Sequence, residues 1–100
     1  MDTRIAVIGI IVEEKESAGL VNEVLHQYSR FIIGRMGLPY EKKSVNIISV
    51  VVDAPEDAVS ALSGKLGRIP GVQSKALYSK IGSGKKADKR AGADKVPGRK

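Results

Sequence analysis

Apolar residues fill the segment from Ile5 to Val12, interrupted only by Gly9, and charge brackets it on both sides. Its length and β-branched content fit a strand better than a helix. Leu20, Val21, Val24, Leu25 and Tyr28 then recur at helical spacing, and Ser17 stands where an N-cap belongs. Gly34 and Gly37 argue against a long helix through 30–38, whereas Phe31, Ile32 and Ile33 suit a second strand. Pro39 to Ser44, with Glu41, Lys42 and Lys43, reads as a solvated hairpin connection. Val45 to Val52 is the clearest strand of the chain. Asp53 lies two residues before Pro55, so the spacing predicts a helix start there, with Val59, Leu62 and Leu66 on its buried face. Gly67 is placed to stop it. Pro70-Gly71 then turns the chain into a last strand, Val72 to Ser79.

The order is β-α-β-β-α-β. Two βαβ units with right-handed crossovers put both helices on one face of an antiparallel sheet, in the strand order 4-1-3-2. This predicts an α+β, ferredoxin-like domain over residues 1–80. Its two central strands are apolar on both sides. The first carries Ile5, Val7 and Ile11 on one face and Ala6, Ile8 and Ile10 on the other. The third sets Val45, Ile47 and Val51 against Ile48, Val50 and Val52. An antiparallel sheet with one solvated face should alternate apolar with polar. Two helices cover one face only, so a second copy of the sheet is the simplest cover for the other, giving a homodimer or tetramer. The bland alternative is a tolerated apolar surface. Parity alone leaves open which face the helices take; Ile8, Ile10, Ile48 and Val50 are assigned here to the interface between copies.

Three segments carry a family resemblance. They are Arg4 to Val12, Ile32-Ile33-Gly34-Arg35-Met36-Gly37-Leu38-Pro39-Tyr40, and Leu62-Ser63-Gly64-Lys65-Leu66-Gly67-Arg68-Ile69-Pro70-Gly71-Val72. Over roughly residues 3–80 the chain resembles the small regulators of the iron-only hydrogenase system. That family looks like ACT domains and like the ligand-binding half of nickel-responsive repressors. The resemblance implies an ACT-like fold and a non-enzymatic regulatory or effector-binding role. The repressors reach DNA through a separate ribbon-helix-helix segment, whereas this sequence opens directly on its first strand, so sequence reading of DNA by the folded part is not expected.

Charge is unevenly placed. Residues 81–100 hold seven Lys or Arg against two Asp, a net of +5 within a total of +6. The folded part is therefore near neutral, unlike a dedicated DNA-binding domain. Residues 81–100 lack apolar periodicity and are expected to be a disordered tail. Such a tail could contact nucleic acid or another polyanion through counterion release. There is no cysteine, which excludes disulfides, thiolate metal sites and cysteine nucleophiles. With one His, a multi-histidine metal site within one chain is excluded as well, and no cofactor is expected. The apolar run at the N-terminus is far shorter than a membrane span of roughly 20 residues, so a cytoplasmic protein is expected.

Candidate chemistry is sparse. Gly82-Ser83-Gly84-Lys85-Lys86-Ala87 matches a lenient dinucleotide pattern but lacks the second strand and acidic ribose ligand that the pattern needs. Ser63-Gly64-Lys65 is a weaker echo of a phosphate loop, inside a helix rather than before one. No Ser-His-Asp arrangement is supported, and four aromatics do not make a base-stacking platform. Two readings of the Gly34-Arg35-Met36-Gly37 segment stay open. It is either a bulged, charge-guarded edge strand, or a place where missing side chains admit a ligand or partner while Arg35 offers a fork to a carboxylate or phosphate. His26 reads as a satisfied or solvent-facing helix residue, or as half of a symmetric site in an oligomer. Lys65 and Arg68 complement the dipole of the second helix, with an effector contact as the sharper option. The expected effector or interface set is thus His26, Gly34, Arg35, Met36, Gly37, Lys65 and Arg68. An enzyme is not expected, for want of an acid, base and nucleophile set.

Overall fold

The computed structural model describes residues 2–82. Six main elements follow one another: β1 (Arg4–Val12), α1 (Ala18–Gln27), β2 (Ile32–Tyr40), β3 (Val45–Ala54), α2 (Glu56–Gly67) and β4 (Val72–Gly82). The sheet is antiparallel, in the order β2-β3-β1-β4. This is the ferredoxin-like arrangement expected from the element pattern. β4 continues through Gly82, two residues into the stretch expected to lack structure. The remainder of that stretch, from Ser83, lies outside the described residues.

The core lies between the helices and one sheet face. Ala6, Ile8, Ile10 and Val12 of β1 and Val50, Val52 and Ala54 of β3 are buried beneath Val21 and Leu25 of α1 and Val59, Leu62 and Leu66 of α2. The assignment of Ile8, Ile10, Ile48 and Val50 to an interface between copies is therefore corrected. Ile8 and Val50 are 0% exposed, Ile10 is 1% exposed, and Ile48 packs against the same core. The uncovered face is the other parity, with Ile5, Val7 and Ile11 paired in register to Asp53, Val51 and Ile47. Gly9, Ser49 and Asp53 all fall on the uncovered parity, which leaves the other as the better apolar surface for the helices.

Local details also depart from expectation. Leu20 is exposed rather than part of the α1 stripe. Ser17 makes no capping bond; its Oγ donates to the Pro70 carbonyl at 2.6 Å, tying the entry of α1 to the loop before β4. β3 runs on through Ala54, and α2 starts at Glu56 with Pro55 as its N-cap. Pro39 and Tyr40 belong to β2, and the hairpin turn narrows to Glu41–Ser44, where Ser44 takes a left-handed φ of 56°.

Gly71 is the one glycine among the described residues with positive φ, at 73°. A Cβ there would sit 2.6 Å from Glu14 Cγ, while the Gly71 carbonyl accepts a bond from the Glu13 N–H at 2.7 Å. Gly71→Ala should cost about 1–2 kcal/mol or more through the left-handed backbone and the collision. For a domain of this size, that lowers the thermal midpoint by roughly 5–15 °C. An unchanged midpoint would show that this turn relaxes freely.

Candidate functional site

Two surfaces stand apart from ordinary packing. The first is the uncovered sheet face. In register from β2 across to β4, one row reads Gly34, Val51, Val7 and Leu77; the next reads Met36, Ser49, Gly9 and Lys75; a third reads Leu38, Ile47, Ile11 and Gln73. Val7 is 37% exposed, Met36 68% and Leu77 72%. Two apolar rows thus flank a central dip at Gly9, a hollow of about 430 Å³ bordered by Ser49 and Lys75. No element among the described residues lies over this face.

The second surface is a groove between α1 and the edge strand β2. β2 pairs only with β3, and the ladder is interrupted by a bulge between Ile32 and Gly34. That bulge and the pleat split the glycine-bearing segment. Gly34 and Met36 share the open face with Val51 and Ser49, whereas Arg35 and Gly37 lie on the helix side with Val50 and Ile48. Arg35 reaches toward α1, where its Nη2 donates to Asn22 Oδ1 at 3.0 Å. On one side of this bridge a cleft of about 260 Å³ is lined by Val12, Ala18, Gly37, Leu38, Asn46 and Ile48, among others. On the other a hollow of about 330 Å³ is lined by Leu25, His26, Ser29 and Ile32. Both take Asn22 and Arg35 as a shared wall.

The structure therefore brings His26, Arg35 and Gly37 to one groove. It sends Gly34 and Met36 to the sheet face. Neither glycine has positive φ, and a Cβ on either would meet nothing within 4 Å, so internal packing does not require glycine at 34 or 37. Lys65 and Arg68 line neither surface. Lys65 Nζ stands 5.2 Å from the Tyr28 ring centroid, and the Arg68 N–H closes α2 on the Gly64 carbonyl at 3.2 Å. Sequence reasoning missed Asn22 and Asn46. Asn22 stands four residues before His26 on α1, on the same helix flank, and that spacing was the available signal.

Two pairs of hydroxyls elsewhere are committed to each other. Ser60 Oγ lies 3.3 Å from Tyr78 Oη, Ser63 Oγ lies 3.0 Å from Ser74 Oγ, and neither pair includes a base. The described residues contain no cluster of three or more metal-ligating side chains, and no helix among them is long and apolar enough to cross a membrane.

The chain is similar to known proteins in both sequence and shape. The profile of the TM1266-like family, described as "Iron-only hydrogenase system regulator, putative", matches residues 4–76. The solved structure of the uncharacterized protein TM1266 from Thermotoga maritima superposes with a TM-score of 0.75 at 37% identity, over 78% of this chain and 99% of that one. No curated protein matches.

Proposed function

The chain belongs to the TM1266-like family of iron-only hydrogenase system regulators, and from that premise we propose a non-enzymatic regulatory module. It acts as a homo-oligomer stacked through the open sheet face and holds a small effector in the α1–β2 groove. The observation that carries this reading is the sheet face itself. Ile5, Val7, Ile11, Ile47, Met36, Leu38 and Leu77 are all exposed there, on a domain whose helices are already occupied.

A second copy fits that face in size and charge. Strands of about nine residues and four-strand width give a flat projection of roughly 600 Å², which side-chain relief increases. A specific interface needs about 800 Å² per partner. Lys75 and Asp53 are the charges on the face, one of each sign, so two copies meet without net repulsion. The dip at Gly9 offers room for a protruding Met36 or Leu77 from the partner. Native mass spectrometry of protein purified gently from cells tests both parts. A multiple of the 10.7 kDa chain carrying a small-molecule adduct is expected; a bare monomer would refute the reading.

A second reading is favoured by charge. The basic residues 81–100 lie beyond the family match at 4–76, so they add something the shared domain lacks. If they bind nucleic acid, affinity should fall steeply with salt and vanish when those residues are removed. Salt-independent binding, or binding retained after truncation, would reject it.

A further inference from the structure

We infer that the α1–β2 groove selects small organic anions with an apolar body, carboxylates without an amino group, and rejects amines. This rests on the effector reading above and names the ligand class. The first ground is the environment of Arg35. Its guanidinium is positioned by the neutral amide of Asn22, and no carboxylate among the described residues forms an ion pair with it; the one ion pair there joins Arg4 to Glu56. An Arg held by an amide keeps its full charge for an incoming anion, and the bond to Asn22 uses only one of its five N–H groups.

The second ground is the groove's composition. Neither half has an Asp or Glu in its wall. Since Asn22 Oδ1 accepts from Arg35, the Asn22 amide N–H groups remain as further donors. Val12 and Ile48 supply an apolar surface on one side of the bridge, and Leu25 and Ile32 on the other. Gly37 leaves the floor open where a Cβ would have entered. A carboxylate would pair with Arg35 while its hydrocarbon part covers that surface. An ammonium would find no anion and would face Arg35 as a like charge. The two volumes sit at or below the low end of known ligand sites, about 300 Å³, so the ligand is small.

Three probes that share an isobutyl side chain separate the possibilities: 4-methyl-2-oxopentanoate, leucine and 3-methylbutylamine. Each is titrated into the full chain while backbone amide shifts are followed. The expected order is oxo acid first, leucine at least about tenfold weaker, and the amine without effect up to about 10 mM. Shifts should centre on Asn22, Arg35 and Gly37. Arg35→Gln, which keeps a hydrogen-bonding side chain but removes the charge, should weaken the oxo acid at least about tenfold. Its thermal midpoint and oligomer mass should match the wild type. Leucine binding in the groove as tightly as the oxo acid would overturn the anion inference while leaving an effector site in place. No binding by any probe, or full affinity in Arg35→Gln, would also overturn it. The effector reading itself would then stand or fall on the adduct seen by native mass spectrometry.

Discussion

Ile8→Lys should abolish cooperative folding. Ile8 is 0% exposed on a central strand, set between Val50 and Ala76 in register and covered by the helices. No acidic side chain belongs to the core around it. An unpaired ammonium there costs several kcal/mol at least. Total stability of a domain this small lies near the low end of about 5–15 kcal/mol. Circular dichroism should show no sigmoidal melt and a loss of helical signal at room temperature. A native-like melt would mean that the helices do not cover this face.

Val7→Lys, one residue earlier, should do the opposite: keep the fold and break the assembly. Val7 points to the uncovered face between Val51 and Leu77, so in an isolated subunit the lysine extends into water. In a face-to-face assembly with two-fold symmetry each substitution is made twice, and both charges lose their hydration. Dissociation should strengthen by at least about a hundredfold, equivalent to about 3 kcal/mol. Light scattering behind size exclusion should show the monomer, with a cooperative melt preserved. A variant that still assembles would remove Val7 from the interface. One that unfolds would show that the face is part of the subunit's own core.

The contrast between these neighbours marks the limit of the sequence. Element order and strand order were legible, because Ile5–Val12 and Val45–Val52 read as strands by length and β-branching while the helices carry 3.6-residue periodicity. The buried parity was not read correctly, because both parities are rich in Ile and Val. The deciding signal was present in the minority residues: Gly9, Ser49 and Asp53 all fall on the uncovered parity. The sequence ends β2 before Pro39, because Pro39 to Ser44 spells a hairpin connection, whereas on an edge strand a proline is tolerated and the pairing continues through Tyr40.

The groove was legible only in part. Arg35 stood out as a charge between glycines, and the edge position of its strand followed from topology. Asn22 did not stand out, since an exposed amide on a helix has no chemistry until the fold brings Arg35 within 3.0 Å. Ser17 shows the same limit in reverse. Its position before α1 spelled a cap, but Pro70, distant in sequence, competes for the hydroxyl and wins at 2.6 Å. A tertiary partner of that kind leaves no local trace.

Sedimentation equilibrium of the full wild-type chain, over a concentration series through the micromolar range at physiological salt, tests the central claim most directly. The account predicts a mass of two or four times 10.7 kDa, since it has another copy cover the apolar face on β1, β3 and their neighbours. A single species at 10.7 kDa persisting to tens of micromolar would contradict it.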